Sequence, residues 1–293
     1  MKSSLPVFFL LFSSFVLAQT IPFQYGWPRQ ASDDWGLYYN SPTVGDINNN
    51  GNLEVTVTKS FATPVLHVWR SNGTFLPGFP VSLPPGNLQQ SSSYEISAIG
   101  DVTGDGYMEI VLGDENGQLF VYKYNGTNVA GTPFFLGTSQ KSTTPALVDL
   151  DKNGTLDIVI TSYDRDSPYM NAKLHVLKWN GNGFSYFDEF PIDITYGSES
   201  SPVVGDLNGN GEYEIVFVTD GNLSNNVFSK IHAVNSRGVY LAGFPIDIAP
   251  STLGSTPSLY DIDSSGTLEI VIRAMPSTGI NGIYAYNYQR QLL

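Results

Sequence analysis

The chain has 293 residues and no cysteine, and its 27 Asp and Glu outnumber its 14 Lys and Arg to give a formal net charge of −13. Nucleic acid is excluded as a partner, because its binding depends on basic side chains that neutralise phosphates. A hydrophobic content of 41% argues against general disorder, and the lack of cysteine removes disulfides as a source of rigidity.

The first 18 residues have the features of a secretory signal peptide. Lys2 supplies a positive charge, Leu5–Leu17 is mostly apolar, and Val16, Leu17 and Ala18 are suitable residues before a cleavage site. The apolar stretch is shorter than the roughly 20 residues of a membrane-spanning helix. We expect residues 1–18 to be removed, and residues 19–293 to form one monomeric domain without a transmembrane segment, secreted or held at the cell surface.

The mature chain opens with Phe23–Pro28, which matches an element found later in the chain, and then repeats one sequence unit five times. Each unit has a short apolar segment, an acidic loop rich in Asn and Gly, and a second apolar segment. The first aspartates of the five loops are separated by 55, 48, 57 and 55 residues. Repetition at this period is typical of an array of equivalent structural units.

A second pattern follows each loop, beginning at Val65, Gln118, Lys173 and Lys230 in the first four units. It alternates apolar and polar residues and breaks at Asn-Gly or Arg-Gly turns, as strands joined by hairpins do. Each unit therefore supplies four short strands. Four antiparallel strands in about 50 residues form the blade of a propeller, so the sequence predicts an all-β fold, a β-propeller of four-stranded antiparallel blades.

The two ends of the chain match different parts of the same repeat. Phe23–Pro28 matches the Gly-Phe-Pro element of a fourth strand, whereas the last unit stops after a third strand at Gly282–Tyr286 and the tail Gln289–Leu293. We expect five blades closed by the N-terminal strand, which would remove exposed sheet edges. The alternative is a fragment of a seven-bladed propeller.

The five acidic loops carry oxygen ligands in a fixed order. Counted from the first aspartate, oxygen-bearing side chains occupy positions 1, 3 and 5, glycine occupies position 6, the carbonyl of position 7 is available, and a carboxylate occupies position 9. This order resembles the first half of an EF-hand loop, but the flanking segments are strands. The candidate metal ligands are Asp46, Asn48, Asn50, Asn52 and Glu54; Asp101, Thr103, Asp105, Tyr107 and Glu109; Asp149, Asp151, Asn153, Thr155 and Asp157; Asp206, Asn208, Asn210, Glu212 and Glu214; and Asp261, Asp263, Ser265, Thr267 and Glu269.

A single copy of this loop is equally compatible with an ordinary hairpin turn, but five copies that all keep the acid at position 9 favour metal binding. Ligation by oxygen alone favours Ca²⁺ over zinc or copper, so we expect up to five Ca²⁺, one per blade. The second, third and fifth loops carry three carboxylates at the ligand positions, and the first and fourth carry two.

These loops, with the preceding Ser-Pro or Thr-Pro and the Gly-Asp pairs at Gly45, Gly100 and Gly205, resemble the FG-GAP/VCBS repeat family, best known from the propeller head of integrin α subunits. The resemblance covers nearly the whole mature chain and implies a calcium-binding propeller with a role in extracellular recognition or adhesion. Integrin heads have seven blades, and the Phe-Gly and Gly-Ala-Pro elements are degenerate here.

Two classes of function remain at this stage. A recognition module would bind a carbohydrate or protein through connectors opposite the calcium loops, with Trp35, Tyr38, Tyr163, Arg165 and Tyr169 as candidate ligand-binding residues. The alternative is a carbohydrate-active enzyme, a glycoside hydrolase or polysaccharide lyase, with acids lining a central channel. His67, His175 and His232 occupy one repeat position that is Phe or Tyr elsewhere, which indicates packing. We therefore favour a module that is not an enzyme.

Overall fold

The computed structural model describes residues 24–30, 41–59, 64–84, 96–137, 140–164, 171–194, 196–197, 199–221, 227–248, 255–274 and 282–293. All regular structure in these ranges is β-strand, which confirms the all-β prediction. Within the same ranges no helix has the length and apolar character needed to cross a membrane. The expected signal peptide, residues 1–18, lies outside the described residues.

The strands form five antiparallel sheets, which we number in chain order. Sheet 1 contains β1 (Thr43–Gly45), β2 (Glu54–Lys59), β3 (Val65–Arg70) and β4 (Val81–Ser82). Sheet 2 contains β5 (Ala98–Gly100), β6 (Glu109–Gly113), β7 (Gln118–Tyr122) and β8 (Phe134–Phe135). Sheet 3 contains β9 (Gln140–Ser142), β10 (Ala146–Val148), β11 (Asp157–Asp164), β12 (Ala172–Trp179), β13 (Phe184–Tyr186) and β14 (Ile192–Ile194).

Sheet 4 contains β15 (Val203–Gly205), β16 (Glu214–Thr219), β17 (Lys230–Asn235) and β18 (Ile246–Asp247), and sheet 5 contains β19 (Ser258–Tyr260), β20 (Glu269–Ala274) and β21 (Gly282–Tyr286). Within each sheet the repeat strands pair in chain order, with registers such as Val44 with Val55 and Val57 with His67. Sheet 3 adds β9 beside β11, and both β13 and β14 pair with β12. Three sheets thus have the predicted four strands.

The sheets pack face to face, and the core lies between them. The second strand of an inner sheet is buried along nearly its whole length because both of its faces are covered, and its centre is apolar, as in Ile158–Ile160, which are fully buried. Separate apolar clusters fill the four interfaces between successive sheets. The first strands contact one another in the order β1, β5, β10, β15, β19. This radial succession of antiparallel sheets is propeller-like.

Close contact between first strands explains the glycine that precedes the first loop aspartate in sheets 1, 2 and 4. A Cβ at Gly100 would lie 2.6 Å from Leu156 Cδ1 and 2.9 Å from Leu147 Cδ1 of the next sheet. A Cβ at Gly205 would meet Leu268 Cδ1 at 2.8 Å in the same way. The glycine allows the sheets to converge at their inner edge, where the acidic loops begin.

The N-terminal element lies against sheet 1. Trp27 Nε1 donates to the Ser71 carbonyl at 2.9 Å, and its ring meets Trp69 edge-on at 6.1 Å. Gly26 approaches the Asn72 carbonyl just as Gly78 of sheet 1 approaches the Asn125 carbonyl of sheet 2. The predicted likeness to a Gly-Phe-Pro element is therefore seen in the packing. Among the described strands, however, sheet 5 has three members and no sheet is closed on itself.

Candidate metal centre

Each acidic loop joins the first and second strands of a sheet, and its first aspartate folds the loop around its carboxylate. In sheet 1, Asp46 Oδ1 accepts the Asn50 N–H at 2.9 Å and Oδ2 accepts the Gly51 N–H at 2.7 Å. The same pair of bonds recurs in the other four loops. Gly51 has φ +83° with no atom near its missing Cβ, so the glycine at position 6 is required by the backbone turn.

The carboxylate at position 9 is fixed at the start of the second strand. One of its oxygens accepts the backbone N–H of loop position 2, as in Glu54 to Ile47 at 3.1 Å and Glu269 to Ile262 at 2.8 Å. Equivalent bonds hold Glu109, Asp157 and Glu214. All five of these acids are at most 2% exposed. The second oxygen of each is thereby aimed at the interior of its loop.

Two of these inward oxygens lack a protein partner. Glu54 Oε1 and Glu269 Oε1 are buried and make no hydrogen bond, and the same holds for Asn48 Oδ1 at position 3 of the first loop. In contrast, Glu109 Oε1 accepts from Thr103 at 3.3 Å and Glu214 Oε1 accepts from Asn208 at 3.1 Å. A buried carboxylate oxygen without a partner is costly, and a cation bound in the loop would remove this cost.

The carboxylates also raise one another's proton affinity. Burial, followed by the negative charge of Asp105, raises the pKa of Glu109 to about 7. Burial raises the pKa of Asp157 to about 7 as well, and Asp151 adds to the effect. Both shifts follow from the burial of a carboxylate beside other acids. A divalent cation would lower both pKa values.

Two loops bring three acids together. The ligand atoms of Asp149, Asp151 and Asp157 lie within 4.8 Å of one another, as do those of Asp261, Asp263 and Glu269. The donor set of both clusters is oxygen only, and position 7 adds a carbonyl, which fits Ca²⁺. The fold therefore brings together six of the acids predicted as ligands, and their oxygen donors fit the expected ion.

Neighbouring loops are joined by position 4, which the sequence did not single out. Asn49 Nδ2 donates to the Gly106 carbonyl at 3.1 Å, which links the first and second loops. Lys152 Nζ donates to the Gly211 carbonyl at 2.7 Å and lies 3.2 Å from Glu212 Oε1, which links the third and fourth. The only sequence signal for this contact is a lysine inside an otherwise acidic loop.

Of the five candidate ligand-binding residues, the structure describes only Tyr163. Trp35, Tyr38, Arg165 and Tyr169 lie outside the described residues. Tyr163 belongs to β11, which extends further than expected, and its ring is 6% exposed in the core between sheets 3 and 4. Its hydroxyl donates to Glu199 at 3.1 Å, and Lys141 pairs with the same carboxylate at 2.9 Å. A ring in this position offers little surface to a ligand.

The histidines are core residues, as the repeat pattern indicated. His175 Nε2 lies 2.8 Å from Ser162 Oγ and its Nδ1 lies 3.1 Å from the Tyr186 hydroxyl. His232 makes the corresponding contacts with Thr219 and Tyr240. Burial lowers the pKa of both imidazoles to about 3. The Ser162–His175 pair is enclosed and out of reach of a substrate.

The model of the FG-GAP-like repeat matches the chain twice, over residues 46–112 and 101–160. No curated protein has a significantly similar sequence. Solved structures with a similar fold include the crystal structure of BBS1N in complex with ARL6DN, soaked with lead. It is 15% identical with a TM-score of 0.51 over 86% of this chain and 67% of that one. The biofilm matrix protein Bap1 of V. cholerae is 14% identical with a TM-score of 0.41, covering 82% of this chain and 47% of that one.

Proposed function

The chain carries FG-GAP-like repeats in propeller-like sheets, and from this premise we propose that it is a secreted, calcium-binding recognition module for an extracellular carbohydrate or protein. The observation that carries the calcium assignment is the buried inward oxygen of the position-9 acid, which has no protein partner in the first and fifth loops. We extend the assignment to all five loops because each has equivalent positions filled by oxygen donors alone.

The residues that would hold each ion are the side chains at positions 1, 3 and 5, the carbonyl at 7 and the carboxylate at 9. Bound calcium would supply positive charge that neutralises the buried acids. The chain's own contribution is the fixed geometry: the position-1 aspartate folds the loop and the position-2 N–H orients the closing acid. In a cysteine-free secreted protein, this cross-linking of strand ends would take the role that disulfides have elsewhere.

Calcium binding is tested by titration calorimetry on the mature chain, residues 19–293, after exhaustive chelation. We expect up to five sites, with Kd values of about 10⁻⁴–10⁻³ M as in other extracellular modules. Asp149→Ala and Asp261→Ala should each remove one site from a three-carboxylate loop, whereas Asp206→Ala should change the titration less. A chelated protein that takes up no calcium at millimolar concentration would refute the assignment.

Recognition rather than catalysis is supported by the burial of the histidines, and loops held by a scaffold of sheets are suited to recognition. BBS1N, which shares the fold at a TM-score of 0.51, is described in a complex with ARL6DN, so a propeller-like scaffold can serve protein recognition. Glycan arrays and pull-down from extracellular material would identify the ligand class. Reducing-sugar assays on every bound polysaccharide test the enzymatic alternative, and release of sugar ends would overturn the proposal.

Secretion and architecture complete the proposal. The mature protein should begin at Gln19, which N-terminal sequencing of secreted material checks. We take the array to be a monomeric ring of five blades, with the N-terminal segment in the place of the fourth strand of sheet 5. A fragment of a seven-bladed propeller would instead leave both ends of the array without a partner.

A further inference from the structure

The residue at position 4 of each acidic loop has a left-handed backbone conformation. Its φ lies between 54° and 74° in all five loops, at Asn49, Gly104, Lys152, Gly209 and Ser264. A residue with a Cβ adopts this conformation only at a cost, and three of these five residues are not glycine. The loop therefore imposes one backbone geometry at position 4 whatever the side chain, which leaves the choice of side chain open for another contact.

At two junctions between successive sheets, the side chain at position 4 binds the next loop. Asn49 Nδ2 donates to the Gly106 carbonyl of the second loop at 3.1 Å. Lys152 Nζ donates to the Gly211 carbonyl of the fourth loop at 2.7 Å. Both carbonyls belong to position 6, so each bond holds the peptide group that joins positions 6 and 7. This group lies next to the position-7 carbonyl, which is a candidate calcium ligand.

At the other two junctions, position 4 is glycine and the loops approach each other directly. A Cβ on Gly104 would lie 2.8 Å from Thr155 Oγ1, at position 7 of the third loop. A Cβ on Gly209 would lie 3.3 Å from the Gly266 carbonyl oxygen, at position 6 of the fifth loop. Position 4 therefore faces position 6 or 7 of the next loop at all four junctions.

A second link joins the loops at their base. The N–H of position 8 donates to the position-2 carbonyl of the preceding loop, from Met108 to Ile47 at 3.2 Å and from Leu268 to Leu207 at 3.3 Å. Ile47 is fully buried, and its own N–H donates to Glu54 Oε2 at 3.1 Å. Ile47 thus contacts the closing acid of its own loop and the residue that precedes the closing acid of the next loop.

These links reach from the site with the clearest need for an ion to its neighbour. In the first loop, Glu54 is fully buried and its Oε1 has no partner. With calcium bound there, the backbone on both sides of Asn49 would be fixed, because positions 3 and 5 are candidate ligands. Asn49 and Ile47 would then hold Gly106–Glu109, which supplies the position-7 carbonyl and the closing acid of the second loop. A site ordered in advance loses less conformational entropy when its ion binds.

We propose that calcium binding is cooperative between neighbouring loops, and that calcium in the first loop raises the calcium affinity of the second through Asn49 and Ile47. This inference rests on the calcium binding proposed above and adds how its sites are regulated. Because a coupling free energy is reciprocal, calcium in the second loop raises the affinity of the first by the same factor. Such factors are commonly about 5 to 150.

Charge acts in the opposite direction and sets the conditions of the test. The first loop has two carboxylates at its ligand positions, and a divalent ion that neutralises them removes an attraction for an ion in the second loop. At about 0.15 M salt the Debye length is about 8 Å, so this attraction is screened, whereas the hydrogen bonds between the loops remain. Lys152 combines its link with a positive charge beside the fourth loop. The uncharged amide of Asn49 therefore gives the cleaner test.

The glycine at position 6 gives each loop its own reporter. In every loop its N–H donates to Oδ2 of the first aspartate, at distances from 2.7 to 3.0 Å. This aspartate is a candidate ligand, so the amide resonance of the glycine should shift when its loop binds calcium. Labelling with ¹⁵N-glycine restricts the NMR spectrum to the 29 glycines of the chain, and the five loops can be followed separately.

The test titrates calcium into the chelated mature chain at about 0.15 M salt and compares the parent protein with Glu54→Gln, which disables the first loop. The calcium concentration that half-saturates the Gly106 signal should rise about fivefold or more in this variant. The signal of Gly211, in the non-adjacent fourth loop, should keep its midpoint. The spectrum itself shows whether the variant is folded.

A second variant removes the link without touching a candidate ligand. Asn49→Gly keeps the left-handed backbone and loses the amide that binds the Gly106 carbonyl. It should by itself raise the Gly106 midpoint, so the test does not depend on the folding of Glu54→Gln. In its background, Glu54→Gln should shift the Gly106 midpoint less than in the parent. Ser264→Gly makes the same change at position 4 of the fifth loop and should leave the Gly106 midpoint unchanged.

Two results would overturn the inference. A Gly106 midpoint that is the same with and without Glu54 would mean that the two loops bind calcium independently. An undiminished shift in the Asn49→Gly background would mean that the coupling does not pass through this amide. Failure of the proposed function gives a different outcome, because none of the five glycine signals would then respond to millimolar calcium.

Discussion

Replacing Glu269 with glutamine should raise the stability of the protein in the absence of calcium and reduce the stability that calcium adds. Glu269 is fully buried, its Oε2 accepts the Ile262 N–H, and its Oε1 has no partner. Its ligand oxygen lies within 4.8 Å of those of Asp261 and Asp263. Glutamine keeps an oxygen for Ile262, removes one negative charge, and gives an amide that can donate to the two aspartates.

The expected magnitudes follow from these contacts. Removing an unsatisfied buried oxygen is worth about 1–3 kcal/mol, and about 1 kcal/mol moves the melting temperature of a domain of this size by roughly 2–4 °C. With chelator, Glu269→Gln should therefore melt about 2–12 °C above the parent protein. In about 1 mM calcium the variant should lose the contribution of one site, about 0.4–1.4 kcal/mol, so its calcium-dependent gain in stability should be smaller.

Differential scanning calorimetry with chelator and with calcium measures both effects. Glu214→Gln is the matched control, because Glu214 Oε1 already accepts from Asn208 at 3.1 Å. The control should not gain stability in chelator, since glutamine would turn an amide toward the Asn208 amide. An equal loss of stability for Glu269→Gln in both conditions would refute the reasoning, because the carboxylate would then act only as an acceptor for Ile262.

Three further predictions concern the core, the links between loops and the sheet interfaces. Burial lowers the pKa of His232 from its usual value of 6.5 to about 3. The stabilisation that the neutral imidazole gives to the folded state is therefore complete above pH 6.5 and is lost as the pH falls toward 3. Urea unfolding at pH 7 should show that His232→Phe is less stable than the parent protein by about 1–3 kcal/mol, because the partners of His232 lose a hydrogen bond. The free energy of unfolding of this variant should also fall less between pH 6.5 and pH 3. Lys152→Met removes a positive charge beside the Gly211 carbonyl and should tighten calcium binding at the fourth loop in calorimetric titrations, whereas Lys152→Arg should not. Gly100→Ala brings a Cβ to within 2.6 Å of a leucine methyl, and chemical unfolding should show a loss of about 1–3 kcal/mol; an unchanged midpoint would contradict the tight convergence of the sheets.

The composition of each acidic loop could be predicted from the sequence because all of its candidate ligands lie within nine residues. Asp261, Asp263 and Glu269 are close in the chain, so local backbone geometry brings them together once a turn forms at Gly266. The strands could be predicted for the same reason, since the alternation around His67 and the turn at Asn72–Gly73 are local features. Repetition then extended these local inferences to the whole array.

Tertiary structure decided what depends on the placement of one sheet against another. Tyr163 looked like an exposed connector residue, but β11 continues through it and Gly197 packs against its ring. Lys152 reaches a loop that begins 54 residues further along the chain, and no local pattern records that distance. The sequence by itself determines which side chains share a loop or a strand, because these are neighbours in the chain. Burial depends on contacts between distant segments, and only the folded array determines their relative positions.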